Sequence, residues 1–286
     1  MQFQIKNTIR MNPKYPIYII SKGRWESRLT SKALEEINVP YRIVVEPKEY
    51  DNYAKVIDKS KIIVTPENFS ERGQGGIPVR NFVWEHSIKE GYKRHWILDD
   101  NIRRFRRFND DIKYLVTDGT IFNCAEIFVD RYKNVALSGF QYSSFMAYNR
   151  QKRPFTHNTR IYSCILIQND IPFRWEGKYN EDSDLAIRVL KSRKYSTILF
   201  NAFLQDKAST MTMKGGNTDS IYNEGDNREE FARSLERKHP DVVKTIWRYR
   251  RWHHSINFNS FKDVDLIRID EYNVGEGVNN HGMYLK

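Results

Sequence analysis

The chain is poor in the features that would assign it to a class by covalent or membrane chemistry. Its two cysteines, Cys124 and Cys164, lie far apart and outside any Cys-x-x-Cys pattern, which excludes a disulfide scaffold and a cysteine-built zinc site. No apolar run is long enough to cross a bilayer, and the mean hydropathy of -0.71 points the same way, so no membrane partner is expected. Residues 1–10 lack the apolar stretch and small-residue cleavage site of a secretory signal, so cytoplasmic residence is the expectation. Neither a Gly-x-Gly-x-x-Gly nor a Walker pattern occurs, which leaves the dinucleotide and NTPase readings without support. Internal repeats and low-complexity stretches are absent too.

What is present is ample chain, 286 residues at 40% hydrophobic content, for one large α/β core with an extension. A formal net charge of +11 and a pI near 9.4 favour an anionic partner, nucleic acid first among them; a merely lysine-rich surface is the alternative. The charge is clustered, at Arg103-Arg104-Phe105-Arg106-Arg107-Phe108 and at Arg248-Tyr249-Arg250-Arg251-Trp252-His253-His254. Arginine interleaved with aromatics suits phosphate contact plus stacking on unpaired or flipped bases. It equally suits an amphipathic element with rings in the core and guanidinium groups in water.

The first half alternates between strand and helix signals. Apolar runs at 17–20, 41–45, 61–64 and 96–98 read as strands, and helical spacing recurs over 29–37, around 50–57, and from Ile77-Pro78 to Gly91. Such βαβαβ order implies a largely parallel sheet with ligands at the strand ends. Beyond Val135 the pattern loosens into strand-like pieces at 135–140 and 161–168 and helical signals at 181–193 and 228–239, then an aromatic, basic and partly irregular end. The expected division is a catalytic domain over 1–212 and an extension over 213–286 that packs on it and contacts the acceptor.

Five segments carry chemistry. Trp96-Ile97-Leu98-Asp99-Asp100-Asn101 is a buried strand that runs into a carboxylate pair, either a divalent-metal and phosphate site or a simple turn. Ser21-Lys22-Gly23-Arg24 offers backbone amides and two cations after the first strand, and Glu46 places an acceptor after the second. Gly75-Gly76-Ile77-Pro78-Val79-Arg80-Asn81 opens a helix whose glycines permit close approach and whose N-terminus favours an anion. Glu181-Asp182-Ser183-Asp184 opens another helix with more acid than capping requires; Asp182 could remove a proton from an attacking hydroxyl.

In this order the motifs resemble the GT-A class of nucleotide-sugar glycosyltransferases over roughly residues 15–210, with residues 98–101 in the DXD position. The resemblance implies a GT-A-like, Rossmann-like α/β fold with a mixed, mainly parallel sheet flanked by helices. It also implies a nucleotide-sugar donor, UDP-linked first among the candidates, and a Mn²⁺ or Mg²⁺ ion. Ser21, Lys22, Arg24, Glu46, Gly76, Arg80, Asn81 and Asp99 would then contact the donor. Asp100 would hold the metal, Asn101 is a weaker ligand because it stands where the motif has aspartate, and His253 is a further candidate ligand. Asp182, with Glu181, would supply the base. Lys214-Gly215-Gly216-Asn217 and Arg251-Trp252-His253-His254 are similar to the TET-associated group, phage-encoded enzymes that glycosylate hydroxymethylated pyrimidines in DNA. That resemblance implies the host cytoplasm, DNA carrying a base such as hydroxymethylcytosine as acceptor, and DNA contacts from Arg103, Arg104, Arg106, Arg107, Arg250 and Arg251. A glycan or protein acceptor, or a metal-dependent nuclease or nucleic-acid-binding role without a sugar donor, are the competing readings.

Overall fold

The computed structural model describes residues 11–147, 153–208, 215 and 227–269. Its first half alternates β1 (Ile17–Ile20), α1 (Leu29–Glu36), β2 (Arg42–Val45), α2 (Tyr50–Ala54), β3 (Ile62–Val64), α3 (Ile77–Lys89) and β4 (Arg94–Asp99). There follow β5 (Ile102–Asn109), β6 (Ile112–Leu115), α4 (Thr120–Val129), β7 (Val135–Tyr142), β8 (Phe155–His157) and β9 (Cys164–Gln168). The rest comprises α5 (Glu181–Lys191), β10 (Ser196–Lys207), α6 (Arg228–Lys238), β11 (Val243–Arg248) and β12 (Arg251–Ile256). Among the described residues, none forms a helix long and apolar enough to cross a membrane.

Ten strands form one sheet in the order β3-β2-β1-β4-β9-β7-β10-β5-β6, with β8 paired to β10. β3, β2, β1 and β4 run parallel, β9 is antiparallel to both its neighbours, and β7 and β10 are again parallel. The architecture is the mixed α/β sheet that the alternation implies, its parallel part confined to the four leading strands and the β7–β10 pair.

The apolar runs are continuous because the central strands are covered on both faces. Ile17, Ile19, Trp96, Leu98 and Leu166 point to the layer that holds α1 and α4, where Leu34, Phe122 and Ala125 pack. Tyr18, Ile97, Ile165 and Ile167 point to the opposite layer, against Val83 and Trp84 of α3 and Leu185 and Val189 of α5. This alternation fixes the register, since a one-residue slip would exchange the two faces. β4 ends on Asp99, and Asp100 and Asn101 turn the chain into β5. Thr30 at the start of α1 holds that turn: its Oγ1 donates to the Asp99 carbonyl at 2.6 Å and accepts from Ile102 N at 2.9 Å. The motif is therefore a strand end and a turn at once.

The arginine-rich segment after it is β5. Phe105 lies in the core while Arg103, Arg104 and Arg107 are exposed, which is the amphipathic arrangement. The second basic cluster forms a separate hairpin of β11 and β12 on α6, with Arg248 opposite Arg251. Its two-residue turn, Tyr249 (φ 51°) and Arg250 (φ 58°), requires left-handed backbone at both positions, the arrangement for which Asn-Gly is the favoured pair. Bulky residues held there cost of order 1–3 kcal/mol each.

Candidate active site

The carboxyl ends of β1, β2 and β4, the N-termini of α3 and α5 and the end of β10 enclose a cleft of about 330 Å³. Ser21, Lys22, Arg24, Glu46, Gly76, Arg80, Asp99, Asp100, Asn101, Glu181 and Asp182 all line it, so the sequence motifs meet in one place. A larger cavity of about 690 Å³ opens at the other end of the strands, but its acid Asp130 is spent on Lys14, Tyr15 and Arg94. The ligand rule for open α/β sheets points to the carboxyl end instead.

Asp99 sits between two cations: Lys207 Nζ donates to its Oδ2 at 2.8 Å and Arg80 Nη2 to its Oδ1 at 3.1 Å. Burial alone would raise this carboxyl, yet the charges of Lys207 and Arg80 hold it well below the usual range. Asp100 accepts from Arg24 at Oδ1 and from Ser21 Oγ at 2.8 Å at Oδ2. Here burial outweighs the help of Arg24 and Ser21, and the carboxyl is pushed up. Ser21 in turn hydrogen-bonds Tyr53 at 2.6 Å, and Arg24 Nη2 reaches the carbonyl of Gly215 at 3.1 Å. Gly215 (φ +78°) packs so tightly on this loop that a Cβ would lie 2.4 Å from the Gly23 carbonyl.

Arg80 is the hub. Besides Asp99 it faces Glu181 at 3.6 Å and Asp182 Oδ1 at 4.0 Å, and its guanidinium lies 4.8 Å over the Trp175 ring. Asp182 Oδ1 is buried without a hydrogen-bond partner. Burial raises its pKa to about 7, Glu181 and Asp99 adding to the shift and Arg80 opposing it. A carboxyl poised near neutrality in a cleft is suited to proton transfer. Asp184, two residues on, is different: it accepts from Arg188 at 2.8 Å, His239 at 3.0 Å and Lys238 at 3.2 Å. Burial would raise it, but His239 and Arg188 bring it to about 2. It is a tie between α5 and α6.

Several expected contacts are used otherwise. Asn81 does not line the cleft; its amide nitrogen donates to the Trp175 carbonyl at 3.0 Å and its oxygen accepts from Trp175 N at 2.9 Å. Both oxygens of Glu46 are taken by Ser70, from N and Oγ at 2.6 Å each. Asn101 donates to the Ala208 carbonyl at 3.0 Å and so anchors the end of β10. His253 stands on β12, away from the cleft lining, and accepts from Arg251 Nε at 3.0 Å; the hairpin register turns it toward Tyr249. Of the β5 arginines, Arg106 is paired with Asp206 at 2.7 Å, while Arg103, Arg104 and Arg107 stay on the surface beside the cleft-forming turn. Lys214, Gly216 and Asn217 lie outside the described residues.

Lys207 was not legible as a site residue, because nothing in Gln205-Asp206-Lys207 shows that β10 ends beside β4's carboxylate. The same holds for Tyr142 and Tyr162, whose rings stack at 6.2 Å next to the cleft. Tyr162 OH meets Ser183 Oγ at 2.9 Å, and Tyr142 OH meets Ser163 Oγ at 2.8 Å.

Among the described residues no group of three His, Cys, Asp or Glu side chains gathers to make a closed protein cage. Mg²⁺ needs only one or two carboxylates when substrate phosphates complete its shell, and Asp99 and Asp100 side by side fit that shared mode. A metal there would compete with Arg80 and Lys207 for Asp99 and with Arg24 and Ser21 for Asp100.

A family model described as TET-Associated Glycosyltransferase matches residues 15–216 of the chain. No curated protein matches it. Among solved structures, the crystal structure of mannose-6-phosphate isomerase from Helicobacter pylori is 12% identical with a TM-score of 0.29, over 90% of this chain and 94% of that one; a likeness that slight bears on neither fold nor function.

Proposed function

The chain belongs to the TET-associated glycosyltransferase family, and from that premise we propose that it moves a sugar from a UDP-sugar to the hydroxyl of a hydroxymethylated pyrimidine in DNA. The observation that carries the reading is the position of Asp182: a buried carboxyl with an unbonded oxygen, facing the same cleft as Asp99 and Asp100. Membership of a glycosyltransferase family argues against the nuclease reading.

In the proposed reaction the donor diphosphate lies along the Ser21–Arg24 loop and the N-terminus of α3, where Lys22, Arg24 and the first turn of the helix meet negative charge. Asp182 takes the proton from the acceptor hydroxyl; that oxygen attacks the anomeric carbon, and the bond from the carbon to the diphosphate oxygen breaks with its electron pair on the leaving group. Lys207 and Arg80, held on Asp99, keep positive charge beside that oxygen. Asp100 would hold a Mn²⁺ or Mg²⁺ ion, whose charge would further neutralise the departing diphosphate. In-line attack by a hydroxyl so activated inverts the anomeric centre.

DNA is favoured as acceptor by the net charge of +11 and by the exposed arginines of β5 and the hairpin. A thermal-shift screen of nucleotide sugars with and without Mn²⁺, followed by mass spectrometry of hydroxymethylated oligonucleotides incubated with the binders, tests the reading. UDP-sugars should raise the melting temperature and add one sugar mass to the hydroxymethylated strand. Transfer to glycans or proteins, with DNA unmodified and bound only weakly and independently of salt, would refute the acceptor.

A further inference from the structure

The β11–β12 hairpin stands outside the main sheet and carries exposed rings at its end. Tyr249 is 74% exposed at the turn and Trp247 is 59% exposed just below it. Trp247 meets Trp252 across the hairpin at 5.2 Å, edge to face, which stiffens the ribbon. Arg248 lies 4.9 Å over the Tyr249 ring and Arg233 of α6 lies 5.7 Å over Trp252, so rings and cations alternate to the tip. The turn itself is strained, because both Tyr249 and Arg250 occupy left-handed backbone that glycine or asparagine would accept without cost. A bulky ring in such a turn costs the fold stability, which points to a role outside the fold.

The hairpin is also coupled to the chemistry. Helix α6 packs on both strands, and its C-terminal Lys238 together with His239 grips Asp184, two residues from the candidate base. On the cleft side Tyr162 touches Ser183 and carries Arg160 5.5 Å over its ring.

Resting on the DNA-acceptor reading above, we propose that this hairpin is a wedge for duplex DNA: Tyr249 enters the base stack beside the acceptor nucleotide while Arg248, Arg250 and Arg251 hold the flanking phosphates. A two-stranded ribbon is of a size to enter the major groove. The hydroxymethyl group of a stacked base projects only into the major groove, whereas Asp182 is recessed in its cleft, so the base must leave the stack to reach it; an inserted side chain stabilises that extruded state. The wedge matters for the duplex, where pairing and stacking hold the base in place; a single strand already leaves its bases unpaired and needs no opening.

The test uses Tyr249→Gly, which relieves the backbone strain as it removes the ring, with Tyr249→Asn as a second variant that tolerates the same backbone. The full chain binds two probes without nucleotide sugar: a duplex bearing one 5-hydroxymethylcytosine beside a 2-aminopurine, and the modified strand alone. Wild type should raise 2-aminopurine fluorescence in the duplex. Both variants should lose that rise and bind the duplex about tenfold more weakly, or worse, with single-strand affinity within about threefold of wild type and a melting temperature no lower. Wild-type fluorescence and duplex affinity in Tyr249→Gly would overturn the wedge, as would an equal loss on both probes. Failure of wild type to bind either probe would instead overturn the DNA-acceptor reading and the wedge with it.

Discussion

Replacing Asp182 by asparagine should move activity and stability in opposite directions. The Asp182 carboxyl ionises at about 7 in the folded chain, chiefly because burial penalises its charge, against about 4 when unfolded. A carboxyl raised in this way contributes stability that is fully present below the unfolded value, near pH 4, and is lost as pH rises through about 7. Three units correspond to about 4 kcal/mol, so the melting temperature of Asp182→Asn should gain on wild type between pH 4 and pH 8 by up to about 10 °C. Turnover should fall by ~10² to 10⁴ with donor affinity retained, the usual range for a lost general base. Wild-type activity should rise with pH through a single ionisation near 7. The assay is nucleotide release with a hydroxymethylated oligonucleotide, run beside differential scanning calorimetry at both pH values. A pH-independent melting difference, or turnover within about tenfold of wild type, would refute the reasoning.

Other expectations follow from the same cleft. Lys207→Met leaves Asp99 with Arg80 alone and should cost about 3 kcal/mol in urea denaturation while lowering kcat/KM; an unchanged midpoint would show the pair to be idle. Asp100→Ala should abolish the Mn²⁺-dependent part of UDP binding measured by calorimetry, and unimpaired affinity with metal present would remove Asp100 from the metal site. Gly215→Ala puts a Cβ 2.4 Å from the Gly23 carbonyl on a left-handed backbone, so it should weaken donor binding through the loop; normal donor affinity would count against that coupling. Arg251→Ala should reduce the slope of log K against log salt for DNA binding by about 0.9, and an unaltered slope would mean no phosphate contact there.

The leading βαβ alternation was legible because its strands are buried on both faces and so read as unbroken apolar runs, as at Ile17–Ile20. The motif positions were legible as well, since strand ends and helix starts announce themselves by Pro, Gly and acid. Partners were not. Arg80 and Asn81 are adjacent in sequence, yet one carries its charge to Asp99 and the other bonds the Trp175 backbone, a choice made by the helical rotation of about 100° per residue. β10 escaped notice because its Asn201 and Gln205 break the apolar pattern; Gln205 is buried only because the carbonyls of Phe140 and Tyr162 accept its amide. The hairpin was hidden by a turn that carries Tyr-Arg where the recognisable signal is Asn-Gly.

The tie at Asp184 has a consequence for how such enzymes diversify. One carboxylate, gripped by Arg188 from its own helix and by Lys238 and His239 from the end of α6, joins the reaction machinery to the hairpin-bearing segment, over an apolar seam of Ile187 and Leu190 on Leu235 and Val243. A seam formed by two helices and a hairpin lets the segment be exchanged as a unit if those contacts are kept. An α6 and hairpin of different sequence, grafted with Lys238 and His239 retained, would inherit the alignment to Asp182 and could bring a new acceptor to an unaltered donor cleft.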